Sequence, residues 1–193
     1  MSAAGRGSAR IDNDYYPTPS WCVDALLAEL RTDMSGLVWS EPCRADGAIY
    51  NRLPQPKVWA ELRHGVDYLT TPLPADVVVT NPPFSIAEPF IRKSLSEARG
   101  VFYLMRLNFL GGQERRKFWI EHRPSHLFVL SRRPAFVAVC QVKGCGAKYP
   151  LDYTGRCEAC GGPVGPGTDA TEYAWFGWDR LGVCRRKPGI YWI

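Results

Sequence analysis

Long apolar runs are what this sequence most plainly lacks. No stretch in its 193 residues approaches the roughly 20 apolar residues that span a bilayer, which excludes a membrane-spanning protein. The first ten residues carry Arg6 and Arg10 but no apolar segment of the secretory kind. That predicts a protein that stays where it is made, in the cytoplasm. Gly (18) and Pro (16) are not abundant enough for a low-complexity chain, and 7 Trp, 9 Tyr and 8 Phe supply a core, so general disorder is excluded as well. The length suits one domain with a small appendage rather than two full cores, and no internal repeat is visible. Seven cysteines make an odd number without an export signal, favouring a reducing compartment and thiol or metal roles over a disulfide framework. The net charge of +5 suits a polyanionic partner without demanding one.

What is present alternates between short apolar runs and helical or loop segments, the pattern of a parallel sheet with crossover connections. Residues 1–14 read as a flexible arm. Thr18-Pro19 predicts a helix start, with Thr as the cap and Pro in the first turn. Cys22, Val23, Leu26, Leu27 and Leu30 then follow at helical spacing. Strands are expected over 37–39, 58–60, 76–80, 101–105, 127–130 and 172–178, and helices over 85–98 and 113–121. The last strand is apolar on both faces, as a central strand is. Residues 140–167 break the rhythm with Gly, Pro and four Cys, and read as an insertion between the fifth and sixth strands.

Open parallel sheets bind ligands outside the carboxyl ends of their strands, so the polar residues there are the candidates. After the first strand, Glu41-Pro42-Cys43-Arg44-Ala45-Asp46-Gly47-Ala48-Ile49 is a small-residue turn that lets a ligand approach backbone N–H groups. Its carboxylates suit a cationic ligand, and it has no Gly-Lys-Ser/Thr run of a phosphate loop. Glu61, at the end of the second strand, is placed to accept both hydroxyls of a ribose, and Asp67 follows on the same rim.

Asn81-Pro82-Pro83-Phe84 is the sharpest local signal. Each residue before a proline is pushed to extended geometry and neither proline offers an N–H. What remains is a stiff set of acceptors: the Asn81 side-chain oxygen and the Pro82 carbonyl can share the hydrogens of one amino group, while Phe84 offers a face for a planar ring. An exocyclic amine on an aromatic base is a poor nucleophile because its lone pair is delocalised, and two acceptors on its hydrogens favour the pyramidal form that attacks. Such an arrangement asks for a methyl donor nearby.

These motifs, in this order, resemble the phage-type DNA adenine-N6 methyltransferases, enzymes that use S-adenosylmethionine (SAM) on a Rossmann-like α/β sheet. Tyr15-Tyr16-Pro17-Thr18-Pro19 resembles the family's N-terminal cofactor motif and Glu41 to Ile49 its cofactor loop. Glu61 resembles its ribose-binding acid, Asp67-Tyr68-Leu69 its adenine-side motif and Asn81 to Phe84 its catalytic tetrad. Arg133-Pro134-Ala135-Phe136 and Tyr173-Ala174-Trp175-Phe176-Gly177-Trp178 resemble its closing segments. The resemblance runs from about residue 14 to 180 and leaves only the cysteine segment unmatched. It implies Tyr16, Thr18, Pro19, Glu41, Cys43, Asp46, Glu61, Asp67 and Asn81 as cofactor residues, and Asn81, Pro82, Pro83 and Phe84 as catalytic residues. The implied partner is DNA, with the target base flipped from the duplex, and the implied setting is a bacterial host cytoplasm if the chain is phage-encoded. Arg44-Ala45 departs from the family's usual Ala-Gly, so the backbone at Ala45 lacks glycine's freedom. Arg44 itself reads as a surface residue.

The cysteine segment reads Cys140-x4-Cys145-Gly and then Cys157-x2-Cys160-Gly. Two cysteine pairs, each closing a tight turn followed by Gly, match the four-thiolate arrangement of a structural zinc ribbon. A segment so poor in apolar residues gains its order from metal. Cys22, Cys43 and Cys184 read as isolated buried side chains. Lys143 and Lys148 give the insertion basic character, and with Arg132 and Arg133 beside the rim they are the candidate DNA contacts.

The expected organisation is therefore a methyltransferase domain over 15–139 and 168–193, with a zinc-ribbon-like insertion at 140–167. The expected reaction is methyl transfer from SAM to the N6 amine of adenine in DNA. Two alternatives carry different consequences: the same chemistry on RNA or on a protein glutamine, or an inactive nucleic-acid-binding zinc protein on this scaffold. Oligomeric state and target sequence are not legible.

Overall fold

The computed structural model describes residues 17–168 and 170–193. The arm expected over 1–14, and Tyr15 and Tyr16, lie outside the described residues. Along the chain run α1 (Ser20–Glu29), β1 (Trp39–Glu41), β2 (Lys57–Trp59), β3 (Val77–Thr80), α2 (Ala87–Glu97) and β4 (Gly100–Arg106). They are followed by α3 (Arg116–Glu121), β5 (His126–Val129), β6 (Ala135–Cys140), β7 (Lys148–Tyr149), β8 (Val164–Thr168), β9 (Tyr173–Asp179) and β10 (Gly189–Trp192). No helix among the described residues is long and apolar enough to cross a membrane.

Seven strands form one sheet in the order β10-β5-β9-β4-β3-β1-β2. Side-chain alternation divides its core in two. Val77, Val79, Phe102, Leu104 and Trp175 pack on one face with Val23 and Leu26 of α1, and Val78, Val101, Tyr103 and Phe176 pack on the other with Phe90 and Ile91 of α2 and Phe118 of α3. Covering both faces is what makes β3 and β4 read as unbroken apolar runs. Two buried indoles tie the sheet to its cover: Trp175 donates to the Cys22 carbonyl at 2.8 Å, and Trp178 to that of His122 at 2.8 Å.

The expected parallel sheet is mixed. β9 lies between β4 and β5, the central position its apolar faces implied, but runs antiparallel to both. The connection explains the direction. β5 ends at the carboxyl rim, and instead of a crossover helix a second sheet, of order β7-β6-β8, rises from that rim. The chain comes back into the main sheet from the same end, so β9 runs backward. The four-cysteine segment thereby lies between β5 and β9, on the second sheet.

Other expectations shift locally. The 85–98 helix is a short 3-10 turn (Phe84–Ile86) leading into α2, and the 113–121 helix is a 3-10 turn (Gln113–Arg115) leading into α3. Thr18 does not cap α1. Pro19 holds that position without a side-chain cap, because the Thr18 hydroxyl is engaged with Asn81. β10, which no sequence signal marked, pairs parallel with β5 at the sheet edge.

Candidate active site and four-cysteine cluster

The chain leaves β1 for β2 on one side and then places β3 on the other side of β1, so the crevice between the ends of β1 and β3 is the switch point where such sheets bind ligands. A cleft of about 370 Å³ opens there, lined by Thr18, Glu41, Cys43, Asp46, Glu61, Asp67 and the whole tetrad Asn81 to Phe84, among others. That volume falls within the range of small-ligand sites, roughly 300–1,000 Å³. Of the expected cofactor residues, Pro19 lies outside this lining, at the head of α1. The lining also includes Ile49 and Tyr68, from the segments that resemble the cofactor loop and the adenine-side motif, and Ile86 and Phe90, apolar walls whose role the sequence did not separate from core packing.

Glu41 is the electrostatic centre of the cleft. It closes β1 and is only 2% exposed, and among the described residues its Oε2 has no hydrogen-bond partner. Burial pushes its carboxyl well above the usual carboxylate range, with the Tyr50 N–H and the Arg44 guanidinium pulling weakly the other way. A buried carboxylate oxygen without a partner is a costly feature, and a ligand cation in the cleft would satisfy it. Burial likewise raises the Cys43 thiol far above its ordinary value, which makes it an apolar wall rather than a nucleophile.

The loop after Glu41 is held by Glu61. Its Oε2 accepts the Ala45 N–H at 2.6 Å, and its Oε1 accepts the Arg63 N–H at 3.2 Å. Ala45 sits at φ +47, alone among the described non-glycine residues in having positive φ. The turn therefore asks for the left-handed conformation at the position where the resembled family carries glycine. Arg44 is not the surface residue expected: its guanidinium stacks 4.7 Å from the Trp59 ring and 5.2 Å from Tyr50. Asp46, at the cleft edge, is 4.0 Å from Arg63, and Asp67 accepts the Leu69 N–H at 2.9 Å.

Beyond β3 the two prolines carry the chain out in extended form, and Pro83 (φ −58, ψ 121) hands over to the 3-10 turn. The Asn81 Nδ2 donates to Thr18 Oγ1 at 3.1 Å, and Thr18 is only 6% exposed. In this orientation the amide nitrogen faces Thr18 and the amide oxygen lies on the opposite edge. Phe84 continues into an aromatic chain, with its ring 6.3 Å from Tyr173, whose ring is 5.0 Å from Phe136 at the root of β6. Arg106, at the end of β4, lays its guanidinium 4.7 Å from the Phe84 centroid and donates from Nε to the Tyr173 hydroxyl at 3.1 Å. Arg106 escaped sequence reasoning because only the pairing of β4 with β9 sets it opposite Tyr173.

The four basic candidates lie outside the cleft lining. Arg132 packs 4.1 Å above Trp21, and Arg133 forks onto Glu172 Oε1 at 2.8 and 2.6 Å. Lys143 and Lys148 are exposed on the insertion.

The cysteines Cys140, Cys145, Cys157 and Cys160 bring four sulfurs within 4.8 Å of one another, with pairs at 3.4 Å (Cys140–Cys160) and 3.5 Å (Cys145–Cys157). A tetrahedral zinc with bonds of about 2.3 Å requires sulfur separations of about 3.8 Å, so the set fits that ion. Gly146 and Gly161, each just after the second cysteine of a pair, adopt φ +70, as the tight turns require. The Tyr149 hydroxyl donates to Cys157 Sγ at 3.2 Å and the Val142 N–H faces Cys140 Sγ at 3.4 Å, outer partners of the kind that steady thiolate ligands. A second grouping, His126, Asp179 and Cys184, is structural. The His126 nitrogens face Ser125 Oγ and the Arg186 carbonyl, and Asp179 accepts the backbone N–H groups of residues 181–184. Burial pushes the Asp179 carboxyl up, but the backbone N–H groups of Cys184, Val183 and Gly182 together with the Cys184 side chain outweigh it and hold the carboxyl below its ordinary range.

These features define a methyltransferase-type α/β fold bearing a four-cysteine insertion. No protein-family model and no curated protein matches the sequence. Among solved structures, the fold is similar to that of a "putative RNA methyltransferase" from Pyrococcus horikoshii. The TM-score is 0.55 at 14% identity, over 86% of this chain and 87% of that one. At that identity the likeness is one of fold.

Proposed function

We propose that the protein is a SAM-dependent methyltransferase acting on the exocyclic N6 amine of adenine in DNA, with a structural zinc in its insertion. The observation that carries the reading is the meeting of the Asn81-Pro82-Pro83-Phe84 tetrad and the buried Glu41 carboxyl, whose Oε2 has no hydrogen-bond partner among the described residues, on one cleft. The resemblance of the ordered motifs to the phage-type adenine methyltransferases supplies the substrate.

When bound, SAM supplies an electrophilic methyl group on a sulfonium. Glu41 is suited to hold its positive charge, and Glu61 to accept ribose hydroxyls in exchange for the Ala45 N–H. Asn81 Oδ1 and the Pro82 carbonyl accept the two amine hydrogens, and Thr18 holds the amide so that its oxygen edge is the one presented. Phe84 stacks on the flipped base. None of these residues removes a proton before the carbon–nitrogen bond forms; the amine proton leaves afterwards, to solvent. The chain contributes placement, and such positioning is worth about 7–11 kcal/mol of barrier. Cys140, Cys145, Cys157 and Cys160 hold the zinc, which orders the insertion and takes no part in the transfer.

Incubation with methyl-labelled SAM and separate DNA, RNA and protein substrates, followed by digestion, tests the reading. The expected product is N6-methyldeoxyadenosine from DNA. Label confined to RNA would move the assignment to the fold neighbour's substrate class, and label on protein glutamine would replace it.

A further inference from the structure

A second cavity opens one strand further along the rim that carries the tetrad. β4 is the parallel neighbour of β3, so the loop that follows it starts from the same rim as Asn81. That loop and α3 enclose about 700 Å³, lined by Leu110, Arg116, Trp119, Ile120 and Arg123, among others. The floor is apolar and open to solvent: Ile120 is 65% and Leu110 41% exposed, an unusual allowance for large aliphatic side chains placed together. Trp119 is held firmly, its ring stacked 5.7 Å from that of the buried Phe176 and its Nε1 donating to the Phe109 carbonyl at 3.1 Å.

The two ends of the cavity are cationic. Arg116 begins α3 and Arg123 lies two residues past its end, with Trp119 and Ile120 between them, and both arginines are exposed. Among the described residues no carboxylate lines the cavity, and no ion pair, hydrogen bond or ring contact engages either guanidinium. Glu114 and Glu121 stand outside the lining, and Glu121 is taken up by Arg92 at 3.5 Å and Lys117 at 3.9 Å. A two-fold pairing with a second copy would set Arg116 against Arg123, so like charge disfavours self-association here.

We infer that this cavity holds the backbone of the DNA strand beside the flipped base, with phosphates on Arg116 and Arg123 and deoxyribose on Trp119 and Ile120. The inference rests on the proposed function for the identity of the polymer. A DNA backbone alternates charged phosphate with apolar sugar, and the cavity repeats that alternation. Guanidinium is the side-chain group best matched to phosphate oxygens. An acidic protein segment would match the charge, but the place favours DNA: a duplex that delivers a base to the end of β3 must pass over the neighbouring end of β4. Contacts of this kind fix the register of the duplex without reading its sequence.

Filter binding of heterogeneous duplex DNA across salt tests the assignment. Arg116→Ala and Arg123→Ala should each weaken binding about eightfold at about 0.1 M salt and lower the slope of log affinity against log salt by about 0.9, and the double variant should lower it by about 1.8. Ile120→Ser should weaken binding about three- to fivefold through lost apolar contact and leave the slope unchanged. All three side chains are exposed, and none lines the cofactor cleft, so SAM titration should give the wild-type affinity throughout.

Wild-type protein that does not bind duplex DNA, or arginine variants that bind it with the wild-type slope, would overturn the inference. Wild-type binding of poly-L-glutamate as tight as that of DNA, lost in the same variants, would overturn it in favour of an acidic protein partner. Failure of the functional reading is separately visible. Protein that shows these losses in DNA binding but transfers no methyl group keeps the surface and loses the reaction, whereas arginine variants that form N6-methyldeoxyadenosine at the wild-type KM for DNA keep the reaction and lose the surface.

Discussion

Replacing Ala45 with glycine should stabilise the protein, against the usual effect of adding a glycine. Ala45 is held at φ +47 because its N–H must reach Glu61 Oε2 at 2.6 Å, closing the loop after β1 over the cleft. Left-handed backbone costs an alanine about 1–2 kcal/mol. Glycine removes that strain and retains the N–H, but gives back about 0.4–1 kcal/mol through the greater freedom of the unfolded chain. The net gain is about 0.5–1 kcal/mol, which in a chain of this size raises Tm by about 1–4 °C. Thermal unfolding followed by circular dichroism reads the shift. Ala48→Gly is the control: it lies in the same loop without positive φ, and should lower Tm. An Ala45→Gly variant that melts at or below the wild-type temperature would refute the claim that this turn demands the left-handed conformation.

SAM affinity should depend on pH through Glu41. Burial raises its carboxyl in the free protein, so its contribution to stability is present below the unfolded value and is lost as pH rises through the raised folded one. A bound cation favours the ionised form, so SAM binding releases a proton and affinity climbs by up to tenfold per pH unit before levelling. Titration across pH should show this climb, and Glu41→Gln should lack it; identical profiles would contradict the role. Protein purified without chelator should contain one zinc per chain. Stripping the metal, or Cys145→Ser, should unfold the insertion while SAM still binds, because no cleft residue belongs to the insertion. Metal analysis, limited proteolysis and SAM titration check this; a metal-free, protease-resistant insertion would rule out the structural zinc.

The sheet was legible in the sequence where strands are apolar on both faces. Val77 to Thr80, Gly100 to Arg106 and Tyr173 to Asp179 are buried along nearly their whole length, and nothing competes with that signal. β8 was not legible, since Val164-Gly-Pro-Gly-Thr168 reads as a loop. Pro166 and the glycines are tolerated because β8 pairs only with β6, at an edge. β10 was hidden by its half-exposed alternation, with Ile190 and Trp192 facing outward. The antiparallel course of β9 depends on where the insertion attaches, a tertiary fact that composition does not carry.

The site shows the same division. Glu41, Glu61 and Asn81 could be found because each follows an apolar run directly, at the carboxyl end of a strand. The partners that orient them could not. Thr18 looked like a helix cap, yet it accepts from Asn81 63 residues away, and Arg106 meets Phe84 and Tyr173 only through strand register. Arg44 looked like a solvated charge, and it stacks between Tyr50 and Trp59 because the loop after β1 turns back over β2.

The most direct measurement pairs methyl transfer with SAM binding in Asn81→Ala. On the proposed function, two acceptors at the end of β3 make the amine reactive, while most of the grip on the donor comes from cleft residues other than Asn81, with Glu41 and Glu61 among them. The account predicts that transfer to DNA falls to background and that the SAM dissociation constant stays within about threefold of wild type, less than 1 kcal/mol of binding energy. Transfer near the wild-type rate would contradict it.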